Sequence, residues 1–205
     1  MKSKPISRMF TRWAPYYDAT HAWTLPYRRE ARLALGAEQG DRVLDVGCGT
    51  GLNFAHLREL VGDEGRVTGV DLSPDMLDIA RKRIARRGWE NVEVYEANAQ
   101  ELPFPDGSFD GAIATFAMMF IPDYARAITE VARVLAPGGR FVVLDFRATN
   151  NALLRWLNPM LVRGMRLATA ELTHRTIDEM RRVFPKVEVR ERWAGFAYIA
   201  MASKA

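Results

Sequence analysis

Residues 43–51 read Val-Leu-Asp-Val-Gly-Cys-Gly-Thr-Gly, an apolar run with one acid that ends in three glycines within five positions. Glycine costs conformational entropy on folding, so such a cluster marks a place where another group approaches the backbone closely. The apolar run predicts a buried strand, and the residues after the glycines predict a helix. In open α/β sheets, a loop between such a strand and helix lies at the edge where ligands bind.

Strand-like and helix-like segments alternate along most of the chain, which indicates βαβ units and a parallel sheet with helices on both faces. The predicted core strands are 42–46, 66–70, 92–96, 110–115 and 140–146. The predicted core helices are 52–61, 73–87 and 124–135. A helix over 173–184, with Thr176 and Glu179 at capping-box spacing, precedes two strands, 187–193 and 196–203. These two strands predict a hairpin that adds an antiparallel strand to the sheet.

The composition is that of an ordinary globular protein, with 48% hydrophobic and 26% charged residues among 205. One domain is predicted over residues 1–205, in which 1–40 and 147–172 are substrate-side additions to a core over 41–146, and 173–205 closes the fold. The single cysteine allows no intrachain disulfide and suits a reducing compartment. No run of apolar residues reaches bilayer length and no signal peptide is recognised, so a cytoplasmic protein is predicted.

The residues of the glycine loop restrict the kind of ligand that it can bind. Three cofactor classes commonly use such loops, and the motifs of two of them do not match this sequence. A phosphate-binding P-loop ends in Gly-Lys-Ser/Thr, where this chain has Gly51-Leu52-Asn53. A dinucleotide loop has its third glycine at the position of that leucine. Asp45 repels a pyrophosphate and suits a cationic amine, while Asp71 stands where an acid accepts hydrogen bonds from both ribose hydroxyls. A ribose, a positive amino-acid end and no phosphate describe S-adenosylmethionine.

Four segments together resemble consecutive motifs of the class I S-adenosylmethionine-dependent methyltransferases. They are VLDVGCGTG at 43–51, GVDLSPDML at 69–77, ANAQELPFPDGSFD at 97–110 and EVARVLAPGGRFVVLDF at 130–146. The resemblance covers about residues 40–146. It implies an α/β, Rossmann-like methyltransferase fold with a mostly parallel seven-stranded sheet, S-adenosylmethionine as the cofactor and S-adenosylhomocysteine as its product. No metal site is predicted.

The same resemblance implies roles for individual residues. Asp45, Gly47 and Gly51 border the amino-acid end of the cofactor, and Asp71 holds the ribose. The full predicted cofactor-binding set is Asp45, Gly47, Cys48, Gly49, Thr50, Gly51, Asn53, Asp71, Leu72, Met76, Asn98, Ala99, Thr115 and Phe116.

On the adenine side, the resemblance places Leu72 and Met76 against the base. The residue that usually meets the adenine amino group is an acid, but this chain has Asn98 followed by Ala99. The amide oxygen of Asn98 can accept the same hydrogen bond. Residues 115–116 border the methionine portion.

Two classes of nucleic-acid methyltransferase are disfavoured by the residues that would do their chemistry. Enzymes acting on exocyclic base amines usually show Asn/Asp-Pro-Pro-aromatic after the fourth strand, where residues 115–120 here read Thr-Phe-Ala-Met-Met-Phe. Cytosine C5 chemistry needs a nucleophilic cysteine in a later loop. Cys48 lies in the cofactor loop instead, and it is interpreted as an inert packing residue. A nucleic-acid partner is therefore not predicted, despite the net charge of +4.

Residues 151–169 favour a hydrophobic acceptor. The segment places apolar side chains around Pro159, with arginines interleaved. The apolar residues are Leu153, Leu154, Trp156, Leu157, Met160, Leu161, Met165 and Leu167, and the arginines are Arg155, Arg163 and Arg166. One interpretation is an apolar lid, broken at the proline, that clamps a lipid tail and an anionic head group. The other is a packed helix pair with solvated arginines.

Residues 12–18, Arg-Trp-Ala-Pro-Tyr-Tyr-Asp, are similar to the ubiquinone/menaquinone C-methyltransferases and to the small bacterial phosphatidylethanolamine N-methyltransferases. In both groups this segment covers the cofactor and meets the substrate. Tyr16, Tyr17 and Asp18 are therefore candidate catalytic residues, and His21 is a candidate base. The predicted function is N-methylation of phosphatidylethanolamine. The alternatives are C-methylation of a quinone precursor and methylation of a small water-soluble metabolite.

Residues 1–35 contain seven basic and two acidic residues among several aromatic side chains. A basic aromatic segment suits an anionic membrane surface, so a peripheral contact is predicted here. The alternative, which the segment taken alone favours, is a solvated helix face with aromatics packed inward. Three other classes of function are alternatives: a dehydrogenase, which the missing third glycine and Asp45 oppose, a non-catalytic cofactor-binding protein and a membrane-recruiting module. Titration with the cofactor distinguishes a dehydrogenase from a methyltransferase, and a turnover assay identifies a non-catalytic protein. Liposome binding that does not depend on the cofactor identifies a membrane-recruiting module.

Overall fold

Seven strands form one sheet in the computed structural model, which describes residues 22–167, 170–172 and 175–205. The strands are β1 (Arg42–Val46), β2 (Arg66–Asp71), β3 (Val92–Glu96), β4 (Phe109–Thr115), β5 (Leu135–Phe146), β6 (Lys186–Arg192) and β7 (Ala197–Ser203). Their order is β3-β2-β1-β4-β5-β7-β6. β1 to β5 are parallel, and β7 is antiparallel to both of its neighbours. The predicted fold class and the closing hairpin are confirmed.

Within the described residues, six α-helices cover the two faces of this sheet. They are α1 (Leu25–Leu35), α2 (Phe54–Val61), α3 (Pro74–Arg87), α4 (Tyr124–Val134), α5 (Asn158–Leu167) and α6 (Thr176–Val183). Successive strand residues point to opposite faces, so Val43 packs with α1, α2, α3 and α5 while Leu44 packs with α4 and α6. The core is thus two apolar layers on one sheet. Within the described ranges, no helix has the length and apolar character needed to cross a membrane.

Some helices and strands begin at residues other than the predicted ones, because backbone geometry there overrides the apolar pattern. The helix expected from residue 52 begins at Phe54, after a loop glycine with φ of 77° at Gly51. The strand expected from residue 140 begins at Leu135, directly after α4. Leu135 pairs with Phe109 and Arg140 with Gly111, so residues 136–139 form an irregularity within β5 rather than a separate loop.

Two further expectations are wrong at single residues. Thr176 does not cap a helix: it is the first residue of α6, its side chain is buried, and it hydrogen-bonds Tyr198. Pro159 does not break its segment, because it lies in the first turn of α5, where a missing backbone N–H costs nothing. The helix therefore continues to residue 167 as one unit.

The carboxyl ends of the parallel strands meet at one edge of the sheet. The glycine loop after β1, the turn after β2, a 3-10 turn at Met118–Phe120 after β4 and residues 147–157 after β5 all lie there. In sheets of this kind, ligands bind at this edge.

Candidate functional site

The glycine loop after β1 leaves one open position on its surface. Gly47, Gly49 and Gly51 all have positive φ angles, of 67°, 54° and 77°. A Cβ atom on the first would lie 2.6 Å from the Cβ of Ala117, and one on the last 2.5 Å from the ring of Phe54. A Cβ on Gly49 would meet nothing within 4 Å. The outer glycines are therefore needed for packing, while the middle one leaves space in which a ligand can lie against the backbone.

Asp71, the last residue of β2, presents its carboxylate to this open space. Its Oδ2 accepts a hydrogen bond of 2.9 Å from the backbone N–H of Gly49, and its Oδ1 accepts one of 2.9 Å from the N–H of Ser73. Burial raises the pKa of this carboxyl, and the backbone hydrogen bonds oppose that rise. Each oxygen keeps lone-pair capacity, so the pair can accept hydrogen bonds from two vicinal hydroxyl groups.

The predicted adenine side is also at this edge, with one difference. Leu72 is 42% exposed and Met76 is buried at the start of α3, and their predicted contact with the adenine stays a prediction. The Oδ1 of Asn98 accepts hydrogen bonds from the backbone and side-chain N–H groups of Gln100, at 3.0 and 2.9 Å. This oxygen therefore already accepts two hydrogen bonds, so the predicted bond to an adenine amino group requires the Gln100 side chain to turn away. Ala99 is buried beside it.

Beneath the loop, Asp45 is fully buried and does not reach the surface. The side-chain amide of Asn53 donates to both of its carboxylate oxygens at 3.1 Å and to the hydroxyl of Thr115 at 2.9 Å. Burial raises the pKa of Asp45 to about 7, opposed by the bonds from Asn53 and by the charges of Arg28 and Arg32. The predicted contact between Asp45 and a ligand amine stays a prediction, and in the structure the carboxylate fixes the Asn53 side chain.

Two arginines of α1 enter this site, which the sequence interpretation missed. Arg28 is 4% exposed and donates to the hydroxyl of Thr115, with its guanidinium 5.2 Å from the ring centre of Phe116. Arg32 is 2% exposed and donates to Oδ1 of Asn53 at 3.4 Å. Burial and the charge of Arg28 lower the pKa of Arg32 to about 10. A solvated helix face is therefore the wrong description of these positions.

A signal for this arrangement is present in the sequence. Arg28 and Arg32 are four residues apart, so they lie on the same side of α1. That side also contains Ala31 and Leu35, which are buried against the sheet. Two guanidinium groups face one buried carboxylate here, which leaves an excess of positive charge in a region of low dielectric. The arrangement can hold an anion such as a carboxylate group.

Five aromatic side chains from four chain segments form a continuous cluster beside the arginines. We call Trp23, Tyr27, Phe116, Phe146 and Trp193 the aromatic cluster. Ring centres are 4.9 Å apart for Phe116 and Phe146, 5.5 Å for Phe146 and Trp193, and 5.0 Å for Trp193 and Trp23. Tyr27 packs edge-on against Trp193 and accepts its indole N–H. The cluster reaches the surface, since Trp23 is 52% exposed, and such faces can stack a planar apolar ligand.

Unfavourable backbone geometry concentrates at the same edge. In the described part of the chain, the non-glycine residues with positive φ are Phe116, Trp193 and Ala194, with angles of 55°, 50° and 51°. Left-handed backbone costs a side-chain-bearing residue about 1–2 kcal/mol, and such residues cluster at functional sites. The first two belong to the aromatic cluster, so its rings are held in place at a cost in backbone energy.

Asp145, the penultimate residue of β5, was not singled out from the sequence. Its carboxylate is buried and accepts hydrogen bonds from the backbone N–H groups of Met119, at 2.9 Å, and Phe146, at 2.8 Å. It therefore ties the 3-10 turn after β4 to the end of β5. Burial raises the pKa of Asp145 to about 7, and these hydrogen bonds oppose the rise.

This pKa predicts a pH dependence of stability. Between about pH 4 and 7 the folded chain keeps the Asp145 proton that the unfolded chain releases, so its contribution to stability falls as the pH rises. The free energy of unfolding of wild type minus that of Asp145→Asn should therefore decrease over this range in urea titrations. Asp63→Asn, which removes an exposed surface carboxyl that pairs with Arg58, is the control substitution. A constant or rising difference for Asp145→Asn would contradict the assignment.

The remaining predicted site residues are placed as follows. Cys48 and Thr50 are buried in the glycine loop, and burial raises the pKa of the Cys48 thiol, which disfavours a reactive thiolate. The four predicted catalytic residues lie outside the described residues and stay predictions. They are Tyr16, Tyr17, Asp18 and His21.

Comparisons with known proteins agree with this geometry. Residues 43–139 match a family described as a methyltransferase domain. The demethylmenaquinone methyltransferase of Listeria welshimeri is 32% identical, and the match covers 98% of this chain and 92% of that protein. The protein of the same name from Geobacillus kaustophilus is 33% identical, over 95% of this chain and 89% of its own length.

A solved structure extends the likeness to the whole fold. Geranyl diphosphate C-methyltransferase from Streptomyces coelicolor A3(2), in complex with Mg²⁺, geranyl diphosphate and S-adenosyl-L-homocysteine, superposes with a TM-score of 0.74. The match covers 90% of this chain and 80% of that chain, at 19% identity. At that identity, it is the fold that is shared.

Proposed function

The chain belongs to the class I S-adenosylmethionine-dependent methyltransferases, and we propose that its acceptor is a quinone precursor of the demethylmenaquinone type, methylated at a ring carbon. The chain is an enzyme with S-adenosylmethionine as its cofactor. The acceptor is the proposed part. It corresponds to the alternative drawn from the sequence rather than to N-methylation of phosphatidylethanolamine, which the sequence interpretation placed first.

The residues at the carboxyl edge fit this cofactor. The open space at Gly49 can take the nucleoside, and the two carboxylate oxygens of Asp71 suit the ribose hydroxyls. The excess positive charge of Arg28 and Arg32 suits the carboxylate of the methionine portion. When bound, the cofactor supplies an electrophilic methyl group. The chain's own residues then have to orient the acceptor and exclude water.

The observation that best supports a quinone acceptor is the aromatic cluster. The cluster lies beside the predicted position of the methionine portion of the cofactor. Phe116 is a member of the cluster and is also predicted to border that portion, and the guanidinium of Arg28 lies against the Phe116 ring. A flat, apolar ring system can stack on such faces with gains from burial and aromatic contact. The names of full-length relatives at 32% and 33% identity support the same acceptor.

Methylation at a ring carbon sets requirements that the chain must meet. A carbon–carbon bond forms, the bond between the methyl group and sulfur breaks, and the ring carbon releases a proton. A neighbouring ring hydroxyl makes that carbon nucleophilic, most strongly when the hydroxyl is deprotonated. We propose that Tyr16, Tyr17, Asp18 or His21 serves this proton transfer, since their segment resembles the part that meets the substrate in quinone methyltransferases.

A lipid-amine acceptor is the second candidate. It is supported by the similarity of residues 12–18 to phosphatidylethanolamine N-methyltransferases and by aromatic faces that can also accept a methylated, positively charged amine. A flat ring uses the extended aromatic surface more fully than a small ammonium group does. The quinone acceptor is therefore preferred.

The test is transfer of label from methyl-labelled S-adenosylmethionine into a total bacterial lipid extract whose demethylated quinones have first been chemically reduced to the hydroxyl-bearing quinols, followed by thin-layer chromatography. We expect label in the quinone band and none with a heat-inactivated control. Label in the phosphatidylethanolamine derivatives alone would replace the proposal with the lipid-amine function. Absence of label in every lipid, with cofactor binding confirmed, would point to a water-soluble acceptor.

A further inference from the structure

An exposed apolar patch lies on residues 153–160, between β5 and the first turn of α5. Leu153 is 82% exposed, Trp156 is 72% exposed and Met160 is 67% exposed. These are the highest exposures among the large hydrophobic side chains of the described residues. Solvent exposure of neighbouring large apolar residues is unfavourable, and a contiguous group of them marks an interaction surface. We call these three residues the apolar patch.

Helix α5, which follows, is amphipathic, with one face packed on the protein and the other face exposed. Leu161, Val162 and Met165 of α5 pack against the core on the sheet face that also carries α1, α2 and α3. Met160 and Arg163, three residues apart on α5, instead lie on its exposed outer side, and Trp156 is exposed in the 3-10 turn that directly precedes the helix. The inner face therefore holds the segment to the protein, while the outer face presents tryptophan, methionine and arginine to the surroundings.

The charged residues of the segment that contains the apolar patch are all basic. The sequence from residue 146 to residue 170 contains four arginines and no aspartate or glutamate. Arg147 pairs with Glu191 and Arg166 pairs with Glu171. Arg155 and Arg163 are exposed, and the structure gives them no ion pair within the residues that it describes. A basic, apolar surface with a tryptophan suits the interface of a bilayer that contains anionic lipid.

We propose that the apolar patch, with Arg155 and Arg163, docks the protein on the surface of an anionic lipid bilayer. Leu153, Trp156 and Met160 enter the boundary between head groups and acyl chains, and the arginines contact the anionic head groups. This surface is distinct from residues 1–35, where the sequence interpretation placed a membrane contact. The segment follows β5 directly at the carboxyl edge of the sheet. Docking therefore brings the edge that holds the candidate functional site to the bilayer. The proposal does not depend on which acceptor is methylated.

The experiment is co-sedimentation of the full-length protein with vesicles of phosphatidylcholine alone and of phosphatidylcholine with one quarter phosphatidylglycerol. We expect binding to the anionic vesicles that weakens with salt. Leu153→Ser/Trp156→Ser/Met160→Ser and Arg155→Gln/Arg163→Gln should each lower the affinity about tenfold or more. Leu33→Ser/Tyr95→Ser and Arg86→Gln/Arg87→Gln change exposed residues elsewhere and should bind as wild type does.

A spectroscopic reading on the same vesicles locates the contact. Tryptophan emission should shift to shorter wavelength on binding, and most of that shift should be lost in Trp156→Phe, which keeps an apolar aromatic side chain. Equal binding of patch variants and wild type, or no binding by wild type, would overturn the proposal. So would a loss confined to Lys2→Gln/Lys4→Gln/Arg8→Gln/Arg12→Gln, which would place the contact on the amino-terminal segment. A wild-type dimer that the patch variant abolishes would assign the surface to a second copy.

Discussion

Gly51→Ala is expected to lower the free energy of unfolding by about 2–5 kcal/mol. The residue has a φ of 77°, where a side chain costs about 1–2 kcal/mol. The new Cβ would also lie 2.5 Å from the ring of Phe54, a fully buried side chain at the start of α2. Overpacking of this kind costs about 1–3 kcal/mol. Urea titration monitored by circular dichroism measures the sum.

Gly49→Ala is the matched control for this prediction. Its φ of 54° imposes similar backbone strain, but the added Cβ meets nothing within 4 Å. We expect a loss of about 1–2 kcal/mol, together with weaker cofactor binding, because the methyl group would enter the space assigned to the nucleoside. Equal stability of the two variants would mean that Phe54 moves aside freely and that the loop packing described here is wrong.

Asp71→Ala is expected to weaken binding of S-adenosylmethionine and S-adenosylhomocysteine about 10-fold to 150-fold. The carboxylate can accept both ribose hydroxyls, and hydrogen bonds to a charged group contribute about 1.5–3 kcal/mol. The substitution also removes the acceptor for the N–H groups of Gly49 and Ser73. Asp71 is only partly buried, so water can replace these bonds and the fold should persist. Calorimetric titration measures the affinity.

Asp78→Ala is the control for the ribose assignment, since it removes an exposed aspartate of α3 that pairs with Arg81. Its cofactor affinity should equal that of wild type. Unchanged affinity in Asp71→Ala, with both variants folded by circular dichroism, would show that the ribose is held elsewhere.

The core of the fold was predictable because its signals are local. Each parallel strand is a short apolar run between turn residues, and Ser73 caps α3 while Gly88 ends it, as the preferred cap chemistry requires. The position of the site followed from the same pattern, since strand ends in a parallel sheet share one edge. Asp71 lies at that edge, where its carboxylate accepts the N–H of Gly49, and its role toward the ribose stays a prediction.

The rest of the site depends on contacts between distant segments, which a local pattern does not specify. Arg28 looks like a solvated charge until α1 packs against β4 and brings it to Thr115, 87 positions along the chain. Trp23 and Trp193 are likewise far apart in sequence and in contact in the fold. Thr176 has capping-box spacing with Glu179, but tertiary packing buries it next to Tyr198 instead. In each case a long-range contact overrides the local preference.

The most direct test of the proposed function is incubation of the purified full-length protein with ¹³C-methyl S-adenosylmethionine and a reduced demethylmenaquinone in detergent. The position of the label in the product is then read by NMR. We expect the labelled methyl group to be attached to a ring carbon. A label on oxygen, or no transfer to the reduced quinone while a parallel reaction with phosphatidylethanolamine is labelled, would contradict methylation at a ring carbon.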